Sequence, residues 1–141
     1  MKRNIILDTN VFISALRSSR GASYRLFMLL DSGKFDINIS APLIVEYEEV
    51  AKRLSRELGL THADIDDILD YICRVAKKRK THFLWRPVLR DPRDDHILEL
   101  AVESDCEFIV TYNIRDFSAS EQFGIRIVTP KEFPEIIGGL S

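Results

Sequence analysis

The sequence predicts an α/β domain built on a mostly parallel sheet. Short, mainly apolar runs at 5–7, 108–111 and 125–128 are the kind of strand that a parallel sheet buries on both faces. Between them lie longer segments whose apolar residues recur every three or four positions, as on a helix. Strands alternating with helices are the pattern of βαβ units. The 141 residues fit one domain over 1–141 and leave little room for a second.

In chain order, 5–7 is the first strand, and 11–16 is helical with Val11, Phe12, Ala15 and Leu16 on one side. Ser18, Ser19 and Gly21 break that helix; 24–30 forms the next, ended by Ser32-Gly33. Residues 35–39 alternate like a strand with one buried face. Ser40 is placed to cap a helix that opens with Ala41-Pro42 and runs to 58, where Gly59 ends it. Thr61 caps a further helix carrying Ile65, Ile68, Leu69, Ile72, Val75 and Ala76, and the basic run 77–80 reads as its solvated end. Residues 83–85 form a short strand or loop, and Asp91-Pro92 opens a helix through Glu103. After the strands at 108–111 and 125–128, Thr129-Pro130-Lys131-Glu132 matches a capping box, and Pro134 keeps the last helix short or kinked.

The chain has 20 basic and 22 acidic residues and a net charge of −2, which excludes the strongly basic footprint of many nucleic-acid binders. Any such contact must come from local placement of charge. Cys73 and Cys106 lack metal-binding spacing and suggest no disulfide framework, so a reducing cytoplasm is the expected setting. Asp8 and Asn10 interrupt the N-terminal apolar run too early for a signal peptide, and no stretch approaches the roughly 20 apolar residues of a membrane span.

Function is to be sought among the acids. Ligands of parallel sheets bind beyond the carboxyl ends of the strands. Asp8 directly follows the first strand, and Asp116 follows 108–111 by a short loop. In the 41–58 helix, Leu43, Tyr47, Val50 and Leu54 form an apolar stripe with Glu46 beside it, while Glu48 and Glu49 point away. Asp94 precedes Ile97, Leu98 and Ala101 by three, four and seven residues and so shares their buried face, whereas Asp95 leans outward with Glu99 and Val102. Each acid alone has an ordinary reading as a cap or first-turn partner of the helix dipole. Four of them converging near one sheet edge would repel one another, and a divalent cation relieves that. An all-oxygen set suits Mg²⁺ or Mn²⁺, and His62, His82 and His96 lack the paired spacing of a zinc site.

These motifs resemble the PIN-domain ribonuclease family, and the resemblance covers nearly the whole chain. Asp8-Thr9-Asn10-Val11-Phe12 resembles its opening motif, and Glu46 its second acid. Asp94 with Ile97-Leu98-Glu99-Leu100-Ala101 is similar to the third-acid helix, though Asp91 and Asp95 in the same run stay open for that role. The segment 111–117 resembles the closing motif, with Asp116 before Phe117 as the fourth acid. The resemblance implies a three-layer α/β/α fold and a metal-dependent endoribonuclease. It also implies a toxin of the VapC kind, paired with a small antitoxin and acting as a homodimer.

On this reading Asp8, Glu46, Asp94 and Asp116 hold one or two ions and carry catalysis, with Thr9, Asn10 and Asn113 fixing carboxylate orientation by hydrogen bonds. Arg17, Arg20, Arg86, Arg90, Arg93 and Arg115, all near loops, are the candidate RNA contacts. Two other readings compete. An aspartyl-phosphate phosphatase also carries an acid after its first strand, but usually as Asp-x-Asp, where this chain has Asp8-Thr9-Asn10. A PIN-like module that binds RNA or protein without cutting would not need all four acids.

Overall fold

The computed structural model describes residues 3–80 and 94–137. The elements are β1 (Arg3–Leu7), α1 (Thr9–Arg17), α2 (Ala22–Phe27), β2 (Phe35–Ile39), α3 (Ala41–Arg53), α4 (Ser55–Leu58), α5 (His62–Val75) and β3 (Lys77–Lys78). There follow α6 (Asp95–Glu103), β4 (Phe108–Val110), a 3-10 segment (Ile114–Phe123), β5 (Arg126–Val128) and α7 (Glu132–Ile136). Every strand pairing is parallel, and the five-stranded order is β3-β2-β1-β4-β5.

That order contains a reversal. The chain steps from β1 outward to β2 and β3, then returns across the sheet and steps the other way through β4 and β5. Right-handed crossovers place the helices of the two directions on opposite faces, which produces the α/β/α layering. The reversal lies between β1 and β4, where a crevice opens beyond the strand ends. Register brings the two ends level: Leu7 pairs with Val110, and the Asp8 N–H donates to the Val110 carbonyl at 2.9 Å.

Both faces of β1 are covered, as its apolar run requires; Ile5, Ile6, Ile109 and Val110 are fully buried. On one face Phe12 of α1 stacks on Tyr47 of α3, with centroids 4.6 Å apart, and meets Phe27 of α2 at 5.8 Å. Elsewhere in the core, Phe133 of α7 packs edge-on against Phe35 and Phe108, at 5.4 and 5.3 Å. The caps follow the sequence. Ser40 accepts from the Leu43 N–H at 3.3 Å. Thr61 and Asp64 form a reciprocal capping box. Thr129 and Glu132 form another, ahead of an α7 that Pro134 keeps short.

Several expectations are corrected. The helix expected over 41–58 is two, α3 and α4, because Leu54 leaves helical geometry (φ −96°, ψ 11°). The turn lets both Leu54 and Leu58 pack at the core's edge, and Gly59 closes α4 in the left-handed conformation at φ +68°. The second helix stops at Phe27, short of the expected residue 30. The basic run is not a helix end: α5 finishes at Val75, and Lys77–Lys78 is an edge strand beside β2. The Arg79 N–H donates to the Ile39 carbonyl at 2.8 Å and its Nε to Asn38 Oδ1 at 3.0 Å, while Lys77 pairs with Asp36 at 3.2 Å. With β3 outside it, β2 is an interior strand, so Asn38 is buried rather than solvent-facing. The expected strand or loop at 83–85 and the helix start at Asp91-Pro92 lie outside the described residues.

Phe12 links three helices through ring contacts, so Phe12→Ala is expected to cost about 3–5 kcal/mol. Urea unfolding followed by circular dichroism measures that loss.

Candidate metal and nucleic-acid site

Asp8 is both the residue after β1 and the N-cap of α1. Its Oδ1 accepts from the Thr9 N–H at 2.8 Å, and its Oδ2 accepts from Thr111 Oγ1 at 2.7 Å. The carboxylate is only 5% exposed. Burial pushes its pKa up to about 6, the Thr111 and Thr9 hydrogen bonds pull it partly back, and the Glu46 charge adds to the rise. Thr111, at the end of β4, is fully buried and also accepts from the Asn113 N–H at 2.9 Å and from Asn10 Nδ2 at 3.4 Å. Asn10 in turn accepts from the Tyr112 N–H at 3.4 Å.

Glu46 comes to the same place from α3. Thr9 Oγ1 donates to its Oε2, and His96 Nε2 stands 3.3 Å from its Oε1. The next residue of α3, Tyr47, is buried and donates its hydroxyl to the Leu7 carbonyl, which ties α3 to the end of β1. Burial, with the Asp8 and Glu46 charges, holds the Tyr47 phenol well above its ordinary value, so it remains a neutral donor.

A cleft of about 790 Å³ opens over these groups. Asp8, Glu46 and Asp94 line it together with Thr9, Asn10 and Asn113. Asn10, Ser14 and Arg17 follow one another along α1, and Glu46, Glu49 and Arg53 along α3, so each helix presents one face to the cleft. Tyr112 completes the lining opposite Ser14, its hydroxyl 3.4 Å from Ser14 Oγ.

The family model described as the PIN domain matches residues 4–115. The chain belongs to the PIN-domain family. No curated protein matches it in sequence. Among solved structures, its fold is similar to one described as the crystal structure of VapBC2 from Rickettsia felis bound to a DNA fragment from their promoter. The TM-score is 0.59 and the identity 14%, over 89% of this chain and 98% of that one. At that identity the likeness is one of fold.

In this PIN domain three of the four expected acids, Asp8, Glu46 and Asp94, line one cleft. Asp116 is not among the lining residues; it sits half-buried in the first turn of the 3-10 segment, its N–H donating to the Asn113 carbonyl at 3.1 Å. Among the described residues no three His, Cys, Asp or Glu side chains gather closely enough to hold one ion together. Mg²⁺ does not need such a cage, because it keeps several waters and is commonly bound through one or two carboxylates. The donor set fits it: all oxygen, one carboxylate buried, and a second acid close enough to raise its pKa.

Two helical faces differ from expectation. Asp95 and Glu99 are buried, not outward, because α6 is covered well beyond the stripe of Ile97, Leu98 and Ala101. Glu49, expected to point away, lines the cleft one turn after Glu46. Of the arginines, Arg17 reaches the cleft; Arg20 and Arg115 are exposed and do not line it, and Arg86, Arg90 and Arg93 lie outside the described residues. Sequence reasoning passed over Thr111, His96 and Arg53 as site residues. Thr111 had a signal, since it ends the strand that must neighbour β1, just as Asp8 ends β1 itself. Arg53 had one too, since it follows Glu46 by seven residues on the same helix face; His96 had none, because its position depends on how α6 packs.

The Asp8 shift has a sign that can be checked. Its pKa is higher folded than unfolded, so the folded state holds the proton longer. Stability is greatest below the unfolded value near 3.8 and falls as pH rises through about 6. In metal-free protein the loss is expected to be about 3 kcal/mol. Asp8→Asn, which keeps the capping oxygen, should flatten this dependence and raise the metal-free melting temperature at pH 7. Thermal melts from pH 4 to 8 provide the measurement.

Proposed function

We propose that this PIN domain is a metal-dependent endoribonuclease, hydrolysing RNA phosphodiester bonds as the toxin of a toxin–antitoxin pair. One observation carries the reading: Asp8, buried at the sheet reversal, shares an open cleft with Glu46 and Asp94. Like charges gathered about a buried carboxylate at a sheet switch point are costly to a fold that does not use them.

Asp8, Glu46 and Asp94 would hold Mg²⁺ or Mn²⁺, with Asp116 as the fourth acid that the family resemblance assigns. The ion supplies a nucleophile near neutral pH and offsets charge developing on the phosphate. The protein's part is orientation. Thr9 and Thr111 hold both oxygens of Asp8, and Asn10 holds Thr111 and the Tyr112 backbone in turn. Asn113 extends the same network through its N–H. Arg17 and Arg53 are suited to backbone phosphates within the cleft. Arg20 and Arg115 would meet a longer RNA outside it. Both oxygens of Asp8 already accept hydrogen bonds, from the Thr9 N–H and from Thr111 Oγ1, which suits a ligand better than the nucleophile of a phosphatase.

The antitoxin, the homodimer and the cytoplasmic setting enter by family resemblance. One solved structure similar in fold is described as VapBC2 bound to a DNA fragment from their promoter, which supports an antitoxin partner here.

Asp8→Asn, Glu46→Gln and Asp94→Asn are each expected to lower cleavage of single-stranded RNA by about 100-fold or more, the loss of some 3 kcal/mol of transition-state stabilisation. The fold should be unchanged by circular dichroism. Millimolar Mg²⁺ or Mn²⁺ should raise the melting temperature of the parent but not of the Asp8 variant. Undiminished cleavage by Asp8→Asn would refute the assignment.

A further inference from the structure

Tyr112 combines exposure with a fixed side chain. Among the described aromatic residues, Tyr47 and the phenylalanines at 12, 35, 108, 117 and 133 are fully buried, and Phe123, which does not line the cleft, is 43% exposed. Tyr112 is 45% exposed and stands beside Asp8, the most buried acid among the described residues. It is not loose. Its hydroxyl shares a hydrogen bond of 2.6 Å with Ser23 Oγ of α2 and lies 3.4 Å from Ser14 Oγ of α1. Its backbone N–H is held by Asn10, and the residue before it, Thr111, donates to Asp8. Both ends of the side chain are therefore fixed, while its ring borders the cleft that Asp8, Glu46 and Asp94 line. A tyrosine present only for packing would bury its ring, as Tyr47 does while donating its hydroxyl to the Leu7 carbonyl. Here the hydroxyl is anchored but the ring stays half in water.

We infer that Tyr112 is a stacking platform for one unpaired nucleobase of the RNA, next to the phosphate held over Asp8. This rests on reading the cleft as an RNA site, and it adds what that reading lacks, a preference for single-stranded over paired substrate. An aromatic face takes any base, so the contact confers affinity and position along the strand rather than sequence. The cleft walls agree with a strand lying there. α1 leaves the sheet edge at Asp8 and ends at Arg17, and α3 leaves the same edge, carries Glu46 and ends at Arg53. α1 therefore runs from Asp8 to a basic finish about 13 Å away, at 1.5 Å per residue, and α3 passes from Glu46 in its second turn to Arg53 at its end. A base on Tyr112 fixes the strand at the acidic end, and the arginines meet its phosphates farther along. Because the ring is already oriented by Ser23 and Ser14, little side-chain freedom is lost on binding.

The test uses a short single-stranded RNA carrying one 2-aminopurine at successive positions, titrated in Mg²⁺ into the Asp8→Asn protein, so that binding is read without cleavage. Stacking on Tyr112 should quench the probe at one position. Adding Tyr112→Ala should abolish that quench and weaken binding about tenfold or more. Tyr112→Phe should restore both, since it keeps the ring. Tyr112→Leu, which fills the space without a π face, should behave like alanine and serves if the alanine variant does not fold; melting curves check each. Quench and affinity unchanged in folded alanine or leucine variants would overturn the inference, as would the absence of any quench in the Asp8→Asn protein. Cleavage by the parent is measured separately. A parent that binds with Tyr112-dependent quench but does not cut would sink the nuclease reading and leave the base platform standing.

Discussion

The hydrogen bond from Thr111 Oγ1 to Asp8 Oδ2 joins the ends of the two strands between which the sheet reverses direction. Parallel pairing in this register makes the bond possible: Leu7 lies opposite Val110, so the next residue of each strand projects into the same crevice. Around this pair the rest of the site is hung. Asn10, Tyr112 and Asn113 all bond to Thr111 or to one another, and Thr9, one residue past Asp8, reaches Glu46 on α3.

The same arrangement works against stability. A carboxylate removed from water, with a second acid nearby, prefers its proton, while two hydrogen bonds, its capping position on α1 and the neighbouring His96 favour the charged form. The fold tolerates this because its hydrophobic layers lie behind the site. The Phe12–Tyr47 stack and the Tyr47 hydroxyl on the Leu7 carbonyl fix α3 against the end of β1, which holds Glu46 close to Asp8 whatever their mutual repulsion. Bound positive charge would remove the conflict without moving the scaffold, which is why the acid cluster and the rigid core belong to one explanation.

Polarity along the cleft comes from chain direction. In a parallel sheet every helix that follows a strand starts at the same edge, so α1 and α3 set out side by side, α1 at Asp8 and α3 with Glu46 in its second turn. Their last residues, Arg17 and Arg53, are cations at helix C-termini, where the dipole also favours positive charge. A chain with net charge −2 can thus offer a polyanion two helix-end arginines, in exposed ion pairs with Glu57 and Glu49, without being a basic protein.

The sequence by itself determined the class of fold, most caps and the positions of the acids. Strand character, Ser40 and Thr61 caps and the placement of Asp8 after an apolar run are local properties, set by residues a few positions apart. Tertiary structure alone decided what touches what. Lys77–Lys78 became a strand because the open edge of β2 was there to be paired, and Asp95 became buried because α6 is covered on more than one side; a step of about 100° per residue makes neighbouring acids indistinguishable until the surroundings of the helix are known. Thr111 and His96 reach the site across 103 and 50 residues from the acids they touch. Such partners are chosen by sheet register and helix packing, which no window of sequence contains.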